Sequence, residues 1–178
     1  MNIVLFGDSH LARFGKDRLV QLEELVNGSI VYNCSAGGMT STDGAKRAEL
    51  IGTLNPDVVV FSYGGNDVAP WKSVVPKELY LRNMRNIFQA FPNSKKVLFE
   101  SPDVRLPDLD VANEYNNSIH DYRGELKPIC DELGIAIVDG HATTASLGEN
   151  NHEDDGIHMS DAAYSEVITA LADTINSL

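Results

Sequence analysis

Apolar residues along this chain follow two rhythms. Short runs rich in β-branched side chains alternate with longer stretches whose apolar positions recur at helical spacing. The short runs predict strands over Asn2–Phe6, Ser29–Asn33, Asp57–Ser62, Lys96–Glu100 and Ile135–Val138. Val58-Val59-Val60-Phe61 and Ile135-Ala136-Ile137-Val138 are apolar at every position. Such runs are expected of central parallel strands, whose two faces are both covered by helices.

The longer stretches predict the helices. Tyr80, Met84, Ile87, Phe88 and Phe91 share one helical face, and Pro76 suits a first turn. Tyr164, Val167, Ile168, Leu171 and Ile175 form a similar stripe after Ser160, a residue type favoured at N-caps. A further helix is predicted from about Val111 to Leu133, with Tyr115, Ile119, Tyr122, Leu126 and Cys130 inward and Gly134 as its stop. Pro128 lies inside that stretch, so a kink or a break near Gly124 is expected. Helices from about Ala12 to Val26 and from about Thr42 to Leu54 complete the set.

Alternating strands and helices with short connections imply one α/β domain over residues 1–178. Three layers, α/β/α, are expected, around a flavodoxin-like parallel sheet of about five strands. The stretches Gly64–Val75, Ser101–Asp110 and Gly140–Gly156 read as loops. Ligands bind beyond the carboxyl ends of the strands in such sheets. Ser9, Asn33–Ser41, Gly64–Asp67 and Ser101–Asp110 all follow predicted strands and should share one rim.

Composition narrows the function classes. An apolar share of 43% and a charged share of 22% are those of an ordinary globular protein, and 178 residues suit one domain with a substantial core. The net charge of −12 opposes nucleic acid as a partner, because such a field repels phosphate backbones. Cys34 and Cys130 are too few for a disulfide framework and read as separate buried thiols. Neither a leader-like segment nor a membrane span is present, so a cytoplasmic location is the default expectation; secretion is the alternative if a leader has been removed. Oligomeric state is left open.

Candidate chemistry appears at the two ends. Ser9, in Gly7-Asp8-Ser9-His10, follows the first strand and should emerge on a turn. Asp155 and His158 lie close enough in one turn for the carboxylate to reach the imidazole Nδ1. Together they offer a nucleophile, a base and an orienting group. Asn33-Cys34-Ser35-Ala36-Gly37-Gly38 and Tyr63-Gly64-Gly65-Asn66-Asp67 add glycine turns and an amide donor. With Ser9 N–H, Gly38 N–H and the Asn66 amide they would form a three-donor oxyanion hole.

These blocks resemble the SGNH hydrolase superfamily, the GDSL-type esterases and lipases. Gly7-Asp8-Ser9 stands for the first block, with His10 where the common motif has leucine. Asn33 to Gly38 followed by Thr40-Ser41 stands for the second, Gly64-x-Asn66-Asp67 for the third and Asp155-x-x-His158 for the last. The resemblance implies Ser9 as nucleophile, His158 as general base and then acid, and Asp155 as its orienting carboxylate. It implies an oxyanion hole of Ser9, Gly38 and Asn66, a structural Asp8, and no metal or other cofactor. The implied substrate is a small-molecule, acylated-carbohydrate or lipid ester. Sugar O-deacetylases, lysophospholipases, thioesterases and aryl esterases share these blocks.

Other residues carry weaker signals. His10 is read as a first-turn helix residue, and His120 and His141 as surface or capping residues. His152 with Glu153, Asp154 and Asp155 superficially suggests a metal site, but solvated charge is the simpler reading. Trp71 is either a packing anchor or a wall of the acyl pocket. Two non-enzymatic readings are a degenerate hydrolase retained for binding and a phospho-receiver-like module. The second lacks the lysine expected after the fifth strand, where Asp139-Gly140 stands.

Overall fold

A computed structural model describes all residues, Met1–Leu178. In chain order the elements are β1 (Asn2–Gly7), α1 (Ser9–Ala12), α2 (Lys16–Leu25), β2 (Ile30–Asn33), α3 (Ser41–Gly52), β3 (Val58–Ser62) and α4 (Gly65–Val68). There follow α5 (Lys77–Gln89), β4 (Lys95–Glu100), α6 (Leu109–Leu133), β5 (Ala136–Asp139), α7 (Gly140–Thr144), a 3₁₀ segment (Ala145–Asn151) and α8 (Asp161–Ser177). The strands form one five-stranded sheet in the order β2-β1-β3-β4-β5. Every pairing is parallel. This is the three-layer α/β/α arrangement with the flavodoxin-like strand order.

The alternation of side chains along each strand explains the layers. On one face Val4, Phe6, Val59, Phe61 and Leu98 meet Met84, Ile87 and Phe88 of α5 and Ile119 and Leu126 of α6. On the other face Ile3, Leu5, Val58, Val60, Val97 and Phe99 meet Leu22 of α2 and Tyr164, Val167, Ile168 and Leu171 of α8. Val58–Phe61, in the central strand β3, therefore serves two cores at once. Ile135–Val138, also expected to be central, forms β5 at the sheet edge, where one flank has no neighbouring strand and the run is only partly buried. Phe61 packs edge-on to Phe88 and Phe91, with ring centroids 5.2 and 5.5 Å away. No helix is long and apolar enough to cross a membrane.

The structure departs from the sequence reading at several points. The expected helix Ala12–Val26 is two helices, a single turn at Ser9–Ala12 and then Lys16–Leu25. Gly15, extended at φ −67° and ψ 178°, starts the second one. Asn33 locks the break by donating its amide to Leu11 O at 2.9 Å and Phe14 O at 3.2 Å. Conversely, α6 runs unbroken through Pro128. Gly124 and Pro128 are both exposed, so water can take the carbonyl that proline leaves without a donor, and Gly124 offers no side chain to crowd the ring. The α6 start also moves back to Leu109, because the Asp108 carboxylate caps it through Asp110 N at 3.1 Å and Val111 N at 3.2 Å. Two of the stretches read as loops contain short helices, α4 in one and α7 with the 3₁₀ segment in the other.

Phe61→Ala should destabilise the protein by about 3–5 kcal/mol, because it empties a ring-sized volume in the first of these cores. Urea or guanidinium unfolding followed by far-UV circular dichroism measures this, and a loss below about 1 kcal/mol would contradict the packing described.

Candidate active site

The strand order reverses between β1 and β3, and the crevice beyond their carboxyl ends is where the sequence blocks gather. Gly7 ends β1 against β3 so closely that a Cβ there would lie 2.6 Å from Ser62 O. Asp8 N continues the pairing by donating to Ser62 O at 3.0 Å. Asp8 then caps α1, its Oδ1 accepting from His10 N at 3.0 Å. This leaves Ser9 as the first residue of the helical turn, where a backbone N–H has no intrahelical partner.

Ser9 Oγ lies 2.9 Å from His158 Nε2, and His158 Nδ1 lies 2.5 Å from Asp155 Oδ2. Asp155 Oδ1 accepts from Ile157 N and His158 N, both at 2.9 Å. Burial pushes the Asp155 carboxyl up, but the hydrogen bonds from His158 and the Ile157 N–H outweigh it and hold it at about 2. Because the carboxylate can only accept, His158 Nδ1 is the donor and Nε2 is left to accept from the Ser9 hydroxyl.

The segment carrying Asp155 and His158 is a small hairpin-like turn. His152 and Met159 form an isolated antiparallel bridge, with Glu153 N donating to His158 O at 2.8 Å and Ser160 N to Asn151 O at 3.1 Å. Gly156 sits at φ +67°, and a Cβ there would collide with Arg105 O. That close approach lets Arg105 N donate to Gly156 O at 2.7 Å. The Ser101–Asp110 loop thus supports the histidine turn. Asn116 of α6 brackets the loop in turn, accepting from Val104 N at 2.9 Å and donating to Val104 O at 3.0 Å.

The loop after β3 is organised by Asp67, which is fully buried. Its carboxylate accepts from Ser41 N at 3.0 Å and from Ser41 Oγ at 2.5 Å, tying α4 to the start of α3. Asn83 of α5 completes the knot by donating to Ser41 Oγ at 3.1 Å and Thr42 Oγ1 at 3.0 Å. Burial raises the Asp67 carboxyl, and the bonds from Ser41 oppose that rise. Asp67 is therefore a scaffold residue of the third block, and Asn66 beside it is left facing the cleft.

Asp8, Ser9, His10, Gly38, Gly65, Asn66, Trp71, Lys72, Tyr115, Ile157 and His158 line a cleft of about 270 Å³. All the residues expected at the site by sequence reasoning face it except Asp155, which sits behind His158. Gly37 lies against Ser9, since a Cβ on it would be 3.9 Å from Ser9 Cβ. Trp71 is 52% exposed and meets Tyr115 edge-on at 5.4 Å, so it is a cleft wall and not a packing anchor. Tyr115 in turn donates to Gly65 O at 2.9 Å. Lys72, not singled out in the sequence, donates from Nζ to Gly38 O at 2.6 Å. A larger groove of about 470 Å³ between α2 and α8, lined by Arg13, Lys16 and Arg18 among others, contains no nucleophile and base in contact.

Of the remaining histidines, His120 and His141 both face the Asp103 carboxylate. His10 is buried and its ring centroid is 5.6 Å from that of His158. Burial, followed by the nearby His158, Arg123 and other cationic groups, lowers its pKa to about 3, so it is neutral. His120 is exposed, and its Nε2 donates to Asp103 Oδ1 at 2.7 Å. His152 donates from Nδ1 to Asn151 Oδ1 at 2.6 Å and does not join its acidic neighbours. The clustered group is instead Glu153, Asp155 and His158, and of these Glu153 is held by Arg13 Nη1 at 2.8 Å.

Asp8 gives the site a pH-dependent stability. Burial is the main cause that lifts its carboxyl from 3.8 to about 7, against the pull of the His10 N–H. Between about pH 4 and 7 the folded chain thus holds a proton that the unfolded chain releases, so this group's contribution to stability declines as pH rises through that window. Asp8→Asn keeps an acceptor for His10 N–H and should make the decline shallower. Denaturant unfolding at several pH values tests this, and equal slopes in both proteins would remove Asp8 as the source.

Comparison with known proteins bears on the whole chain. No curated protein matches the sequence. Among solved structures, a lipase/acylhydrolase from Enterococcus faecalis superposes with a TM-score of 0.82 at 18% identity, covering 99% of this chain and 95% of that one. The carbohydrate acetylesterase Est24 from Sinorhizobium meliloti gives 0.78 at 16% identity, covering 99% of this chain and 98% of the other. The native aryl esterase of M. smegmatis gives 0.79 at 17% identity, with 99% of both chains covered. At these identities the likeness is one of fold. The sequence itself matches the model of the GDSL-like Lipase/Acylhydrolase family over residues 5–165, which include every residue lining the cleft, and the chain belongs to that family.

Proposed function

We propose that the protein is a serine hydrolase of carboxylic esters, working through Ser9, His158 and Asp155 as one domain. What carries this reading is the unbroken hydrogen-bonded chain from Ser9 Oγ through His158 to Asp155, at 2.9 and 2.5 Å. Family membership supports the same class of reaction.

In the proposed reaction Ser9 Oγ attacks the ester carbonyl carbon as its proton passes to His158 Nε2. Asp155, ionised throughout the neutral range, stabilises the imidazolium through Nδ1–H. The tetrahedral intermediate collapses when His158 returns the proton to the leaving alkoxide, releasing the alcohol. Water then attacks the acyl-Ser9 carbonyl with His158 as base, giving the carboxylic acid and free Ser9. The developing oxyanion would be met by Ser9 N–H, Gly38 N–H and the Asn66 amide. Ser9 and Gly38 give no backbone–backbone hydrogen bond from these N–H groups, and Asn66 is half-buried in the cleft wall.

The size of the cleft narrows the substrate. At about 270 Å³ it lies at or below the small end of ligand pockets, which favours short acyl groups. Trp71 stands half exposed beside it as a flat apolar surface, of the kind on which a sugar ring can stack. This favours carbohydrate O-acetyl esters over long-chain lysophospholipid or thioester substrates, in line with the acetylesterase of similar fold.

Ser9→Ala should lower turnover of p-nitrophenyl acetate by at least about 10⁴-fold. Asn66→Ala should lower kcat by about 10²- to 10³-fold with little change in KM. Steady-state kinetics on purified variants decide this; wild-type rates in Ser9→Ala would remove the serine mechanism. Rates should also fall steadily from acetyl to octanoyl esters, and a rise with chain length would favour a lipase-like substrate instead.

A further inference from the structure

The segment linking β2 to α3 crosses the cleft rim, and its hydrogen bonds are unevenly spread. Near its start Ala36 N donates to Gly7 O at 3.1 Å and Arg47 Nη2 to Cys34 O at 2.8 Å. At its end Thr40 and Asp43 form a capping box on α3. Between them Gly37, Gly38 and Met39 make no backbone–backbone hydrogen bond. The tie in that gap is the Lys72 ammonium, 2.6 Å from Gly38 O.

Gly38 needs such a tie. It is exposed and sits at φ +74°, a region glycine enters and leaves with little steric cost. A donor to an oxyanion works only if it is already in place when charge develops, and misplacement by about 1 Å can cost 10²-fold in rate. Lys72 comes from the segment that follows α4, with its own N–H bonded to Ala69 O at 3.0 Å. Asn66 lies at the start of that same helix. Lys72 therefore links the loop that carries Gly38 to the loop that carries Asn66.

We propose that Lys72 is a positioning residue for ester hydrolysis, its ammonium holding the Gly38 peptide so that two of the oxyanion donors keep a fixed relation. This rests on the serine-hydrolase reading of the cleft. Charge on the carbonyl oxygen appears only in the transition state, so loosening Gly38 lowers kcat and leaves the KM of a neutral ester nearly unchanged.

The test compares Lys72→Met and Lys72→Arg with wild type on p-nitrophenyl acetate, with Ser9→Ala as control. Lys72→Met should lose about 10- to 100-fold in kcat with KM within about twofold. It should lose affinity in parallel for phenylboronic acid, which forms a tetrahedral adduct with an active serine. Lys72→Arg, which keeps a cation of similar reach, should recover most of the rate. Thermal melts of the variants should match wild type; if Lys72→Met melts early, Lys72→Gln replaces it in the same comparison. Full kcat in Lys72→Met, beside an inactive Ser9→Ala, overturns the role of Lys72 alone. A change confined to KM for esters that carry a carboxylate also overturns it, making Lys72 a substrate anchor. Wild-type turnover in Ser9→Ala overturns both readings together.

Discussion

Backbone hydrogen bonds from β1 run to β2 on one side and to β3 on the other, and both pairings are parallel. Parallel strands end together, so this contact delivers Ser9, the Gly37–Gly38 segment and Asn66 to one rim. The same pairing forces Gly7 into contact with the Ser62 carbonyl, where no side chain fits. The turn that presents Ser9 thus begins at a point fixed by the sheet. The two apolar clusters hold that sheet from both faces. The site shares in their rigidity, since Tyr115 on the cleft wall belongs to the first cluster and Ile157 packs against it.

Three aspartates near this rim show how one side chain serves different ends. Asp8 and Asp67 are buried, and burial raises the proton affinity of both. Their use is geometric: one caps α1 and the other ties α4 to α3. Asp155 is more exposed and receives His158 Nδ1–H and two backbone N–H groups, which keep it charged. The difference is set by solvent and by donors, not by the residue type.

Much of this was legible in the sequence because it rests on local rules. The Val58–Phe61 run marked an inner strand and the strand-end blocks marked the rim, but the equally apolar Ile135–Val138 run became β5 at the sheet edge. The limits were set by tertiary effects. Gly15 reads as an ordinary residue in a helical stretch until Asn33, from another element, is seen to bind the carbonyls at the break. Pro128 signals a break unless its solvent-facing position in α6 is known. Lys72 gave no signal at all, because its only distinction is a contact with Gly38, which lies 34 residues earlier. Trp71 was ambiguous for the same reason, since exposure is a property of the fold.

The bond between Ser9 and His158 closes a loop of 149 residues. Tyr164 to His10 and Arg13 to Glu153 bridge separations of 154 and 140 residues beside it. All three contacts need the histidine turn and the α8 region docked against the first strand. As the chain leaves the ribosome, the serine therefore emerges long before the imidazole. During that interval Ser9 stands without His158. If the serine mechanism holds, reactivity is switched on only when folding brings the two ends of this loop together.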